Sequence, residues 1–591
     1  MAEKRAFSVF SLHPCSMLIQ ARSIAADNSA GWRAHAARST FPALIFENST
    51  MQEYSDLSVL IVDPNPSMRG SLHSMLNQAS ITKIDYAVNS GTAIRQLGKK
   101  PFDIVLCEYD LGGGSGGQDG QQLLEDLRHH KLIGLWTIFI MLTSEGVYSK
   151  VLSTAELRPT DYILKPFTVE VLSGRIDRAI EKRAVFLPIY QLIGQGDLRE
   201  AIKGCIATEN RQARHASDLR RLRAELHLDL GEMDQAENIY QEVLSLRPTD
   251  WAYLGLANTL FGQQRYVEAR DALVRLIEQN PRFMTAYDLL AKTHEAMGQP
   301  VQAKKILEDA VALSPHMVRR LRHLGEVALD AGDIGVAERA FKQVVTKAKY
   351  SEFRDPEDHV NLVRTLVKKG DANQANGVVR DLERSLRGSA NVEACRAIAA
   401  ALLLELAGNG AAAADELTRA VSAVGSSKGL STHLKIGLVH SCLKNKLDKA
   451  ATEVMLNLMS DPDSDMTMEQ ALDEFEKAGR HDLAQNMGTR INKEVEALMS
   501  DAADQSSQGE VKAAVFALRL ALRKTPGNLQ LLFASVEAIL RQLNTVGWEA
   551  PLAEQAQHQL HSIRRLDPTH PLFASLREQF AATQRKYGIA G

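Results

Sequence analysis

A chain of 591 residues is longer than one hydrophobic core serves, so at least two domains are expected. Its 45% hydrophobic and 24% charged fractions are those of a globular protein, and a net charge of −3 excludes general attraction to phosphate backbones or anionic membranes, so neither nucleic acid nor a lipid surface is an expected partner. The five cysteines (Cys15, Cys107, Cys205, Cys395, Cys442) set out neither a disulfide framework nor metal-ligand spacing, which suits a reducing cytoplasm, and the longest apolar runs, Trp136–Leu142 and Ala397–Leu404, are far too short for a membrane span.

Residues 1–54 carry Pro14 and Pro42 and no sustained period, which predicts a disordered leader. The apolar stretch Phe7–Leu12 is broken by serines and is followed by no small-residue cleavage site, so it does not read as a secretory signal. Met51 directly precedes the first patterned segment. It is expected to be the true start, with residues 1–50 as upstream sequence, the alternative being a disordered tail.

Between 55 and 185, apolar runs alternate with helix-period segments. Strands are predicted at Val59–Val62, Ile84–Val88, Ile104–Cys107, Thr137–Leu142 and Tyr162–Leu164, with helices near 67–78, 91–98, 120–130, 149–157 and 168–183. Such alternation gives a flavodoxin-like α/β fold, a doubly wound five-stranded parallel sheet with its chemistry at the carboxyl ends of the strands. Those ends carry Asp63, Glu108, Thr143 and Lys165: two acids, a hydroxyl and an ammonium on one rim.

The segments Leu60-Ile-Val-Asp63, Phe102-Asp-Ile-Val-Leu-Cys-Glu108, Thr143-Ser144 and Lys165-Pro166-Phe167 resemble those of a bacterial response-regulator receiver domain, and the intervals of 45 residues from Asp63 to Glu108 and 22 from Thr143 to Lys165 match that family. The resemblance implies an aspartate as phosphoacceptor after strand three and Mg²⁺ held by it and an acidic pair after strand one. It further implies a Thr and a Lys that sense the phosphoryl group, an aromatic (Tyr162) that repacks, and a histidine kinase upstream. Two departures matter: the phosphoacceptor position is Glu108, and the second acid of the pair is Pro64. Asp63 alone leaves a weak or absent Mg²⁺ site, and no other cofactor is implied. The receiver therefore reads as degenerate, with Glu108 lying against Lys165 and Thr143 in partial imitation of an aspartyl phosphate, which would carry about two negative charges where Glu108 carries one. The alternative is a conventional receiver phosphorylated on Asp110 or Glu108. Gly112, Gly114 and Gly117 match a dinucleotide-binding glycine pattern, but no acid follows about 20 residues on, and the stretch reads as a rim loop.

From 186 to 350 the sequence repeats itself. Ala236, Ala269, Ala303 and Ala337 are spaced by 33, 34 and 34 residues. Each has a small residue twelve before it (Ala224, Ala257, Ala291, Gly325) and a large one four after it (Tyr240, Leu273, Leu307, Phe341). Gly231, Gly298 and Gly332 stand five before, and Pro248, Pro281 and Pro315 close three units. This code resembles the tetratricopeptide repeat, an all-α solenoid of helix pairs. Ala201 with Gly196 marks a weaker earlier unit. Gly370 with Ala375, Gly408 with Ala413 and Gly509 with Ala514 carry a degenerate continuation over 351–591. The resemblance implies a concave, partner-binding surface, on which register places Arg221, Trp251, Asn258, Phe261, Asp288, Lys292, Arg319 and Arg322. Trp251 and Phe261 are the expected anchors, since aromatics concentrate at binding hot spots. Asp461, Asp463 and Asp465 suggest a calcium loop, but Met466 and Leu472 occupy the positions that need Gly and Glu, so the stretch reads as an acidic loop before a helix.

The whole reads as a cytoplasmic response regulator of two-component type, not an enzyme, whose repeat array binds protein partners.

Overall fold

The computed structural model describes residues 54–112, 119–144, 159–315, 317–348, 354–386, 391–426, 430–460, 466, 468–525, 528–566 and 570–587. The expected leader up to residue 53, the helix expected at 149–157, Gly114 and Gly117 of the rim loop, and the acidic loop at 461–465 lie outside those residues. The chain divides into two units, Met1–Asp358 and His359–Gly591.

The first unit opens with a parallel sheet of five strands in the order β2-β1-β3-β4-β5. These are β1 (Ser58–Val62), β2 (Lys83–Ala87), β3 (Ile104–Glu108), β4 (Ile138–Ser144) and β5 (Asp161–Lys165), each within two residues of its predicted bounds. Helices α1 (Pro66–Gln78), α2 (Ser90–Leu97), α3 (Gly120–His129) and α4 (Val169–Gln195) cover it. Because strand side chains alternate, Val59, Ile61, Leu106 and Ile140 pack with α1 and α4, while Leu60, Val105, Cys107, Phe139 and Met141 pack with α3 and the buried side of α2. Both faces are dry, which is why these strands read as unbroken apolar runs.

The helix predicted at 168–183 continues to Gln195, so the sequence boundary at 185 falls within a single 27-residue helix. Leu172, Ile176 and Ala179 face the sheet. Phe186, Ile189 and Ile193 face α5 (Leu198–Arg211) and α6 (Ala216–Asp229). Between the two stretches, the buried Arg183 donates from Nη1 to Asp103 Oδ1 at 3.0 Å, and Asp103 in turn accepts from the backbone and hydroxyl of Ser58.

Helix pairs follow: α7 (Met233–Leu246), α8 (Asp250–Gly262), α9 (Tyr266–Gln279), α10 (Met284–Ala296), α11 (Pro300–Leu313), α12 (Val318–Asp330) and α13 (Ile334–Ala348). The repeat code is the packing code. Ala236, Ala269, Ala303 and Ala337 are fully buried, as are Leu273, Leu307 and Phe341 four residues on. A Cβ on Gly325 would lie 2.6 Å from the Phe341 ring, and one on Gly255 would enter the ring of Tyr240, so here only glycine allows the helices their close approach. Every turn before these four alanines and before Ala201 is left-handed, at Gly196, Gly231, Gln264, Gly298 and Gly332, and the next amide bonds back to the carbonyl five residues earlier, as Asp333 does to Ala328 at 2.8 Å.

The second unit uses the same device. Left-handed residues at Gly370, Gly408, Lys446, Gly479 and Gly509 stand five before the buried Ala375, Ala413, Ala451, Ala484 and Ala514. The units at Lys446 and Gly479 escaped the sequence reading, the first because no glycine marks it. The unit's helices run from Pro356–Lys369, whose first residues precede the unit's start at His359, to Pro571–Lys586, and the last is tied down by the Tyr587 hydroxyl, which donates to Leu543 O at 2.7 Å.

Two substitutions test this packing with opposite signs. Gly325→Ala overpacks the helix crossing and is expected to cost about 1–3 kcal/mol. Gln264→Gly relieves a left-handed side chain and is expected to gain up to about 1 kcal/mol. Both are read as shifts of the urea midpoint at unchanged slope.

Candidate functional site

The rim of the sheet gathers the predicted side chains. Asp63 directly follows β1 and is buried; its Oδ1 accepts from the amide of Asn65 at 2.7 Å, which opens the loop into α1. Glu108 ends β3 and its Oε1 accepts from the amide of Asp110 at 3.1 Å. Lys165 ends β5, and its Nζ donates both to Glu108 Oε2 and, at 3.3 Å, to Asp63 Oδ2. The ammonium thus bridges the two carboxylates. Thr143 is buried beside them on β4, and its hydroxyl donates to Ser144 O at 3.4 Å. Tyr162 packs, half-buried, against the cluster on the α3 side of the sheet. Beneath Glu108, burial first and then the neighbouring carboxylates push the Cys107 thiol well up, so it is no nucleophile. Asp110 is exposed, and its Oδ1 accepts from Gly112 N.

This donor set does not fit Mg²⁺. An octahedral hard cation needs oxygens converging on one point. Pro64 contributes no side-chain oxygen, and the lysine ammonium stands between the two carboxylates that are present.

The rim connects directly to α3. The Gly120 amide donates to Tyr109 O at 2.7 Å, and a Cβ at Gly120 would press on Glu108 O and the Met141 sulfur, so only glycine lets α3 start against the end of β3. Asp119 then caps the helix through Gln122 N at 2.8 Å.

The expected concave-face residues divide. Arg221 pairs with Glu225 one turn on, Nε to Oε1 at 2.8 Å. Arg322 donates to both carboxylate oxygens of Asp358, from Nε to Oδ1 and from Nη2 to Oδ2, the latter at 2.9 Å. Asn258 is half-buried on α8. Trp251 is half-buried and meets Tyr240 edge-on at 6.1 Å between ring centroids. Phe261 corrects the expectation of an exposed anchor: it is 9% exposed, packed in the core with Ala257, Leu273 and Leu276 and edge-on to Tyr266, because its place on α8 turns toward α9.

Three residues that the sequence did not single out stand opposite the groove, on α3. Arg319 of α12 reaches Glu125 Oε2 at 3.9 Å and His129 Nδ1 at 3.2 Å. Burial raises the Glu125 carboxyl to about 7, against the pull of Arg320 and Arg319. Partial burial and then Arg319 push the His129 imidazole down to about 4. Arg128 is lowered by burial and then by Arg221. No local pattern could have paired residues 190 positions apart, such as His129 and Arg319.

An open α/β sheet with acids and a lysine on its carboxyl rim, followed by helix-pair repeats, is the build of response-regulator signalling with a protein-binding repeat region. Residues 59–177 match the response regulator receiver domain, and 230–293 and 289–352 match tetratricopeptide repeats. The chemotaxis protein CheY-3 of Vibrio cholerae is 26% identical over 127 residues, 22% of this chain and 94% of that protein. Chemotaxis protein CheY of Pseudomonas aeruginosa is 25% identical over 126 residues, 21% of this chain and 98% of its own. Among solved structures, a tetratricopeptide repeat protein from Parabacteroides merdae covers 46% of this chain and 98% of its own, at 14% identity and a TM-score of 0.31. The repeat protein YrrB covers 31% and 91%, at 16% identity and a TM-score of 0.26. The chain carries a response regulator receiver domain followed by tetratricopeptide repeats.

Phe261→Ala is expected to lower stability by about 3 kcal/mol, the usual cost of truncating a core phenylalanine, measured by urea unfolding. A loss of partner capture in that variant would report unfolding and not a lost contact.

Proposed function

We propose that this chain is a non-catalytic regulatory adaptor in the cytoplasm, whose repeats bind partner proteins and whose receiver is set by an internal ion pair in place of ordinary phosphorylation. The observation that carries this is Lys165 bridging Glu108 and Asp63. A phosphoryl group on an aspartate would present its oxygens to that ammonium; Glu108, one methylene longer, presents its own carboxylate. The extra methylene also moves the nucleophilic oxygen by on the order of 1.5 Å, and a misplacement of about 1 Å can already cost 100-fold in rate. Pro64 removes a metal ligand besides, and phosphoryl transfer depends on the metal to neutralise developing charge. Repeat arrays present extended surfaces to other proteins, which supports protein partners as the output.

Incubation with acetyl phosphate and Mg²⁺ is expected to give no phosphoryl adduct by intact-mass spectrometry. Glu108→Asp alone should restore little, and Glu108→Asp with Pro64→Asp should restore measurable labelling. An acyl phosphate on the unmodified protein, mapped to Asp110 or Glu108, would replace this reading with a conventional receiver served by a histidine kinase.

A further inference from the structure

The outer face of α3 is polar and yet covered. Leu123, Leu124 and Leu127 turn one side of the helix to the sheet. By helical period, Gln121, Glu125, Arg128 and His129 lie on the other side, where a receiver standing alone would meet water. Instead Gln121 is 8% exposed and the Glu125 side chain 13%. Side chains of the repeats reach three of them: Arg319 of α12 lies against Glu125 and His129, and Arg221 of α6 is near enough to Arg128 to lower it. The neighbouring arginines are committed elsewhere. Arg320 clamps Asp288 with bonds of 2.7 and 2.8 Å, and Arg322 clamps Asp358, which leaves Arg319 to reach across.

We infer that α3 is a built-in ligand of the repeat groove, through which the receiver masks the surface between α6 and α12 from partner segments that are helical and carry an acid for Arg319. This rests on the proposed reading of the repeats as the partner-binding region. The contact is built to open. It is polar and thin, and both amide atoms of Gln121 are buried without a hydrogen bond among the described residues, a cost that exposure to water would relieve. It is also wired to the rim, since α3 starts where Gly120 abuts the strand end that carries Glu108. A partner's apparent affinity then falls in proportion to the fraction of molecules with α3 released.

The test is hydrogen–deuterium exchange on the full chain. Arg319→Glu removes the cation that reaches Glu125, sets a second carboxyl against it, and should speed exchange about tenfold in both 120–129 and 318–323, with β1 and β3 unchanged. The reciprocal exchange, Glu125→Lys with Arg319→Glu, should return both segments toward the unmodified rates. Unchanged exchange over 120–129 in Arg319→Glu would overturn the proposal. So would loosening of both segments that the reciprocal pair fails to reverse, because that is loss of packing and not of a charge contact. The measurement uses neither phosphorylation nor a partner, so a masked groove can fail while the ion-paired receiver stands, and acetyl phosphate labelling can fail that reading while this one stands.

Discussion

The continuity of α4 is the constraint on which the first unit depends. Its 27 residues extend about 40 Å at 1.5 Å per residue. One stretch seals the sheet with Leu172, Ile176 and Ala179, and the next founds the repeats with Phe186, Ile189 and Ile193. Pro188 sits within the second stretch and removes one backbone bond without ending the helix. No flexible linker separates the two parts, so their rotational phase is set by residue count, each residue turning about 100°. The pair from Arg183 to Asp103 holds that phase at the junction, near the loop that leads into β3. From this follows the meeting of α3 with Arg319, which requires the groove to be turned toward the receiver.

Within the repeats, stability comes from a short rule applied many times. A buried alanine and a left-handed turn five residues earlier recur from unit to unit, with a large buried side chain four residues later in most of them, such as Leu273, Leu307, Phe341, Leu417 and Met455. The turn tolerates Gln264 and Lys446 in place of glycine, at the ordinary cost of a left-handed side chain. The crossing at Gly325 does not tolerate a Cβ, because the ring of Phe341 fills that space. Backbone strain is negotiable where interpenetration is not.

The charges follow a different logic on the two surfaces. At the rim, Asp63 is buried and needs a partner, since an uncompensated carboxylate away from water is costly; Lys165 supplies it and holds Glu108 as well. In the groove, arginine–aspartate clamps such as Arg320–Asp288 and Arg322–Asp358 use two bonds each, which fixes orientation as well as charge. Arg319 is the more exposed of these arginines, with 48% of its side chain accessible, and it makes the longer, looser contact. At 3.9 Å, with the arginine half open to water, that contact is loose, which suits one meant to exchange.

What the sequence determined by itself is everything with a period. The five strands, the βα alternation, the rim residues and the 34-residue code are local patterns, and they were legible because strand and helix geometry map directly onto spacings of two, four and seven. The two departures at the rim were legible too, because a proline at position 64 and a glutamate at position 108 are chemical facts about named positions. What only the tertiary structure decided is orientation: which way Phe261 turns, that Lys165 reaches both carboxylates, and that Arg319 meets a helix 190 residues before it. Those depend on rotational phase and on packing across distant parts of the chain, and neither leaves a periodic trace in the sequence.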